Sequence, residues 1–312
     1  LEIVHIHVSV AVMINSDNQV LLGQRPYPKS WEGWWEFPGG KVEKNETFIA
    51  ALYREAYEEL GIKINQYKKW IIRQYSYDNL DVTLHFFKVF KWEGKIIPQE
   101  KQKLVWNSLK DLKVSPILPA NLFIQRAFDL PDHYAITNLS ETKKNIFFSQ
   151  LQNKIDNGLK MIQIREKEIC FDELRIFAKE VIDICKPRGV KVIINSNINL
   201  ALELKADGVH LTSKGLHSIK KIPQNLIVSA SCHTQKDIDI AEKIKIHFIV
   251  LSTVKKTLSH PDMKPMGWNK FRKIANKANI PIYALGGLGI EDYQIALENG
   301  AIGIASQRLI WK

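Results

Sequence analysis

Residues 40–62 read Gly-Lys-Val-Glu-Lys-Asn-Glu-Thr-Phe-Ile-Ala-Ala-Leu-Tyr-Arg-Glu-Ala-Tyr-Glu-Glu-Leu-Gly-Ile. The stretch predicts one helix, with Asn45 or Thr47 able to cap its start and Gly61 able to end it in a left-handed conformation. On that helix Glu55 precedes Glu58 by three residues and Glu59 by four, so three carboxylates crowd one face. Like charges at that spacing destabilise a helix unless a counter-ion offsets them. Hard oxygen ligands suit Mg²⁺ or Mn²⁺, which can hold phosphate oxygens and activate a water. On three glutamates alone, a solvated acidic face paired with Arg54 is the plainer reading.

Around this helix the sequence is strand-like at His5–Ile14, Gln19–Gln24, Trp70–Tyr77 and Val82–Lys91. That is an α+β pattern, a mixed sheet with one strong helix. From about Tyr134 the rhythm changes to short apolar strands alternating with amphipathic helices, the signature of βα units. Strands are expected at Tyr134–Leu139, Met161–Arg165, Lys191–Asn195, Gly208–Thr212, Ile227–Ser231, Phe248–Thr253, Pro281–Gly286 and Ile302–Ser306. Between them lie helical stretches, among them Phe171–Cys185, Lys236–Ile244, Trp268–Ala278 and Glu291–Glu298. Eight strands with intervening helices imply a compact (β/α)8 TIM barrel, with short loops because roughly 180 residues are available against about 250 in typical cases. The change of rhythm falls at Leu130-Pro131-Asp132-His133, giving domains 1–131 and 132–312.

Composition agrees with two globular domains. The chain has 312 residues, 45% of them hydrophobic, enough for two cores. Its longest apolar runs, such as Val8–Ile14 and Phe248–Leu251, fall short of the roughly 20 residues that span a bilayer. The first residues lack the pattern of a secretory signal. Cys170, Cys185 and Cys232 are far apart and form no CxxC pair, so a cytoplasmic protein with reduced thiols is expected. The net charge of +11 favours anionic ligands. Its lysines are scattered, however, and read as solvated helix faces rather than a nucleic-acid stripe.

The stretch 40–62 resembles the Nudix box, G-x5-E-x7-R-E-U-x-E-E-x-G-U with U apolar, at every defined position. The resemblance implies that Glu55, Glu58 and Glu59 are metal ligands, one of them a base for water, with Arg54 and Glu46 as orienting residues. The flanks are similar to the MutT-type 8-oxo-dGTP diphosphatases. Phe37-Pro38-Gly39-Gly40-Lys41 opens the box as in that branch. By this likeness the Gly39 carbonyl reaches the metal, Lys41 lies near phosphate, Arg25 contacts the nucleotide beside Phe37, and Glu100 is a distal metal-associated glutamate. Pro119-Ala120-Asn121 matches the segment whose asparagine reads a purine edge; Asn121 equally suits an N-cap for a helix Leu122–Phe128. Trp31, Trp34 and Trp35 suit either base stacking or core packing.

The second half resembles the thiamine phosphate synthase and thiazole tautomerase barrels over nearly all of Tyr134–Trp311. The carrying residues are Gln163-Ile-Arg165-Glu-Lys167, Ala206-Asp207-Gly208-Val209-His210-Leu211 and Ala284-Leu285-Gly286-Gly287-Leu288. The likeness implies a phosphate or ligand site at the C-terminal strand ends, built from Arg165, Lys167, Asn195, Ser231, Thr257, Gly286, Gly287 and Arg308. The glycines read equally as a tight turn. Departures stand beside the matches: Ser196 and Gly215 occupy the family's two acidic Mg²⁺ positions, and the loop after strand six runs Thr257-Leu258-Ser259-His260-Pro261 without the synthases' lysine. The tautomerases' catalytic histidine falls near Thr253, leaving His233 or His260 as candidate acid or base. The barrel is thus expected to bind Mg²⁺ poorly.

Together these readings imply Mg²⁺-dependent hydrolysis of a nucleoside triphosphate, with 8-oxo-dGTP favoured, fused to a barrel for a phosphorylated thiazole or pyrimidine. Hydrolysis of pyrophosphorylated thiamine precursors is the alternative, and a non-catalytic sensing barrel is a third reading.

Overall fold

A computed structural model of the chain describes residues 4–28, 30–77, 80–257 and 264–312. The chain divides into two compact units, Leu1–Phe128 and Asp129–Lys312.

In the first unit, β1 (Val4–Met13), β4 (Gly39–Lys41), β5 (Lys63–Tyr77) and β6 (Leu80–Glu93) form one mixed sheet in the order β4-β1-β6-β5. A second sheet runs β3-β2-β7, from β3 (Trp35–Glu36), β2 (Val20–Gln24) and β7 (Lys103–Asn107). The helix α1 (Phe48–Leu60) is capped by Thr47, whose hydroxyl accepts from the Ala50 N–H, and stops at Gly61 with φ of 68°. Its residues Leu52, Ala56 and Leu60, spaced by four, pack on Ala11, Met13, Phe87 and Val89 of the sheet. Burying each leucine contributes about 1.5–3 kcal/mol. That fixes which face of α1 remains for the glutamates.

β5 begins seven residues before the predicted Trp70. Register shifts against β6 at Ile64/Gln66, Gln66/Tyr67 and Lys69/Ile72 interrupt its alternation, so the pattern in the sequence is blurred. The helix α2 (Pro119–Ala127) starts with Leu118 at its cap, and no side chain bonds to the first turn there. Asn121 lies inside that first turn, with its N–H on the Leu118 carbonyl at 2.8 Å. The capping role expected for Asn121 is therefore incorrect; Pro119 at the helix start needs no partner for a missing N–H, and the cap passes to Leu118.

In the second unit the strands are β8 (His133–Ile136), β9 (Met161–Ile164), β10 (Lys191–Asn195), β11 (Gly208–Leu211), β12 (Ile227–Cys232), β13 (Phe248–Ser252), β14 (Ile282–Leu285) and β15 (Gly303–Ser306). They close into a parallel barrel, β15 pairing with β8. Around it run α3 (Lys144–Asp156), α4 (Phe171–Cys185), α5 (Ile198–Glu203), α6 (Ser213–Ser218), α7 (Gln235–Lys243), α8 (Gly267–Ala275) and α9 (Tyr293–Glu298). Leu139, expected at the end of the first strand, starts a short 3₁₀ turn instead. Thr137 still donates its N–H to the Gln163 carbonyl at 2.9 Å, and its hydroxyl accepts from the Arg165 N–H at 2.9 Å. Tyr134, Phe248 and Tyr283 fill the barrel interior with ring centroids 5.3–5.7 Å apart. Among the described residues no helix is long and apolar enough to cross a membrane.

Candidate functional site

Two glycines shape the first site. Gly39 has φ of 147°, and a Cβ on it would lie 2.2 Å from the Ser9 carbonyl oxygen, so β4 can press against β1 only with glycine there. A Cβ on Gly40 would fall 2.1 Å from a Glu55 carboxylate oxygen. Strand and helix thus meet with the Glu55 carboxylate resting on bare backbone. The Gly39 N–H donates to Glu59 Oε2 at 3.0 Å, which fixes a second carboxylate on the same strand.

Arg54 orders the acidic face. Its Nη1 donates to Glu55 at 2.8 Å and to Glu58 at 2.9 Å, its Nε and Nη2 donate to Glu46 at 3.0 Å, and Nη2 also reaches the Lys41 carbonyl at 2.9 Å. The pairing holds the Glu46 carboxyl below its usual range. Burial, opposed by the Gly39 N–H and reinforced by Glu100, Glu36 and Glu55, pushes the Glu59 carboxyl up to about 8. Burial likewise raises Glu55, with Glu58 and Glu100 adding to the effect against Arg54. Glu58 is the most open of the three, with a side chain 53% exposed.

The donors fit a hard divalent cation in kind: carboxylate oxygens with excess negative charge, beside a backbone carbonyl at Gly39. Among the described residues no three acidic, histidine or cysteine side chains already stand at finished ligand geometry. Arg54 supplies the counter-charge in this arrangement. Glu59 and Glu100 line one crevice with Arg25, Glu36 and Phe37. There Arg25 grips Glu36 with two bonds of 2.6 and 2.7 Å. Phe37 borders a second crevice with Leu22, Leu109 and Asn121, where Asn121 is 6% exposed. The exposed Lys41 ends β4. Trp31 and Trp34 meet edge to face at 4.8 Å and Trp31 is exposed, whereas Trp35 is buried in β3. Core packing is therefore the role of Trp35.

In the second unit the strand ends open into a cavity of about 760 Å³. Arg165, Lys167, Asn195, Ser231 and His233 line it from one arc, and Thr257, Gly286, Gly287 and Arg308 from another. His260, the remaining residue expected there, lies outside the described residues. Arg308 pairs with Glu141. Burial, with the charge of Arg308 nearby, lowers the basicity of Arg165. His233 Nδ1 lies 3.1 Å from the Ser252 carbonyl. Nδ1 also stands 3.3 Å from the Ser252 hydroxyl, so the backbone and side chain of one residue hold the ring at the strand ends.

Three further groups belong to this cavity. Gln163 is 1% exposed; its Nε2 donates to the Tyr134 hydroxyl at 3.0 Å, while its Oε1 has no donor among the described residues. A buried acceptor facing a cavity calls for an N–H or O–H from whatever fills it. His210 bonds through Nδ1 to Ser229 at 2.8 Å and through Nε2 to Ser231 at 2.9 Å. Burial, then the charge of Arg165, lowers it to about 3, so it stays neutral and orients Ser231. Lys256 is the third. The motifs quoted from the sequence contain Gln163 and His210, but the alternation of a strand does not show which inward groups lack a partner.

Comparison with known proteins assigns each unit to a family. The NUDIX domain profile matches residues 4–127 and the thiamine monophosphate synthase profile matches residues 133–310. The second unit is similar to a putative thiamine-phosphate synthase 2 of Aquifex aeolicus, 38% identical over 179 residues that span 57% of this chain and 96% of that protein. The first is similar to a CTP pyrophosphohydrolase of Escherichia coli, 37% identical over 119 residues covering 38% of this chain and 88% of that protein. A solved thiamine phosphate pyrophosphorylase from Pyrococcus furiosus superposes with a TM-score of 0.51 at 25% identity, over 58% of this chain and 87% of that one.

Proposed function

Because the chain belongs to the Nudix family through residues 4–127 and to the thiamine monophosphate synthase family through residues 133–310, we propose that its first unit hydrolyses a nucleoside triphosphate to monophosphate and pyrophosphate. The observation that carries this reading is the seating of Glu55 and Glu59 against the bare backbone of Gly39 and Gly40. Glu55, Glu58, Glu59 and Glu100, with the Gly39 carbonyl, would hold Mg²⁺ or Mn²⁺. When bound, the ion neutralises phosphate oxygens and acidifies a water. Arg54 keeps Glu55 and Glu58 at fixed positions, and the Gly39 N–H holds Glu59 Oε2. Hydrolysis breaks one bridging P–O bond and adds the elements of water, the proton passing to a carboxylate of the α1 cluster. Lys41 and Arg25 supply positive charge toward the phosphates.

The favoured substrate is 8-oxo-dGTP, a role in cleansing the nucleotide pool. Phe37 and Asn121, an aromatic ring and an amide, border the same narrow crevice, and the likeness to a CTP pyrophosphohydrolase makes CTP the first competitor to test. With Mg²⁺, the purified protein is expected to release pyrophosphate from 8-oxo-dGTP faster than from dGTP or CTP. Glu58→Gln, at an exposed position that leaves the core untouched, is expected to lower release by about 100-fold or more. Unchanged turnover would remove the metal assignment.

The fusion to a barrel whose relatives are thiamine-phosphate synthases favours a second reading, hydrolysis of pyrophosphorylated thiamine precursors. Competition between 8-oxo-dGTP and hydroxymethylpyrimidine diphosphate in one assay separates the two. The barrel is read as binding a phosphorylated thiazole or pyrimidine, supported by its cationic lining and by the orphan oxygen of Gln163. A cytoplasmic setting accords with the three free cysteines.

A further inference from the structure

The barrel family implies a divalent cation held by carboxylates, and the residues of this cavity do not fit one. Among the described lining residues the one side-chain carboxylate is Glu141, and it is committed to Arg308. Ser196 accepts from the Asn195 amide at 3.0 Å, and Gly215 sits in the first turn of α6 with its N–H on the Thr212 hydroxyl at 3.1 Å. Neither offers an anionic oxygen.

Positive charge faces the cavity instead, from Arg165, Lys167, Lys256 and Arg308. The neighbours Lys255 and Lys256 have been sorted by the fold. Lys255 Nζ donates to the buried Asp292 at 2.6 Å, whereas Lys256 has no ion-pair partner among the described residues and lines the cavity. Its backbone is held in place: the Lys255 N–H donates to the Gly286 carbonyl at 2.9 Å, and a Cβ on Gly287, whose φ is 63°, would lie 2.6 Å from the Lys256 carbonyl oxygen. The glycine turn thus serves to seat a lysine.

We propose that the barrel binds its phosphate- or diphosphate-bearing ligand without a divalent cation, the Lys256 ammonium supplying the counter-charge. This rests on the reading that the cavity takes a phosphorylated ligand. The test is calorimetry on the full chain in the Glu58→Gln background, so that the first unit does not process the probe, with inorganic pyrophosphate and inorganic phosphate titrated in EDTA and then in Mg²⁺. Saturable binding in EDTA is expected, altered less than twofold by Mg²⁺ and weakened about tenfold or more by Lys256→Ala, an exposed substitution whose folding a thermal melt checks. Binding that appears only with Mg²⁺, or that ignores Lys256→Ala in a folded protein, overturns the inference and leaves the phosphorylated-ligand reading standing. Absence of binding in both media removes the two together.

Discussion

The two units solve the problem of a phosphorylated ligand with opposite charges. In the first, burial and then the charges of neighbouring carboxylates push Glu59 up to about 8, while Arg54 supplies counter-charge to Glu46, Glu55 and Glu58. In the second, the carboxylate positions hold Ser196 and Gly215, and Arg165, Lys167, Lys256 and Arg308 surround the space where the anion would lie. Each unit uses glycines to let a charged residue's neighbourhood close up, Gly39–Gly40 against Glu55 and Glu59, and Gly287 against the backbone of Lys256. The lesson is that the sign of a site is written in side chains, while its precision comes from backbone that a Cβ would spoil.

Methyl groups placed on those glycines test the parallel. Gly40→Ala meets the far end of the flexible Glu55 side chain, which can swing away at small cost to stability. Pyrophosphate release is expected to fall by about 100-fold, since displacing a ligand by an ångström costs that much, with a stability change below about 1 kcal/mol. A large loss of stability with intact turnover would reverse the assignment. In Gly287→Ala the methyl meets the backbone carbonyl of Lys256 in a left-handed conformation. The barrel is expected to lose about 2 kcal/mol, read by urea unfolding, while the first unit keeps its hydrolysis.

Acid should separate the units more gently. Burial first, then Arg165, holds His210 at about 3, and burial first, then His7, holds His85 of the first unit at about 4. Below the unfolded value of 6.5 the unfolded chain takes up a proton that the folded chain refuses, so stability falls with falling pH and is unaffected above it. Each histidine contributes a slope of about 1.4 kcal/mol per pH unit, ending near pH 4 for His85 and near pH 3 for His210. Urea unfolding between pH 7 and pH 3 is expected to show the barrel still losing stability after the His85 contribution has levelled. His210→Gln should flatten the barrel's slope.

Much of this was legible in the sequence because it is local. Eight barrel strands stand out as short apolar runs buried on both faces, and the helix at 48–60 announces itself through Thr47, Gly61 and glutamates at helical spacing. What remained hidden depends on partners distant along the chain. The first half of β5 was obscured by register shifts against β6. Asn121 has the side chain of a cap, but the helix begins at Pro119, three residues before the expected Leu122. Nothing local separates Lys255 from Lys256; Asp292, 37 residues after Lys255, does so. Similarly, the orphan oxygen of Gln163 exists only because Tyr134 takes the other end of the amide.

The closure of the barrel by β15 against β8 also sets a timetable for synthesis. Every strand and helix of the first unit precedes Phe128 and can pack as the chain emerges from the ribosome. β8, by contrast, leaves the ribosome with one of its two neighbours still untranslated. At ordinary elongation rates that edge waits on the order of ten to thirty seconds for β15, with Tyr134 and the apolar strand faces in want of cover. The barrel thus carries an open strand edge through more of its own synthesis than the first unit does.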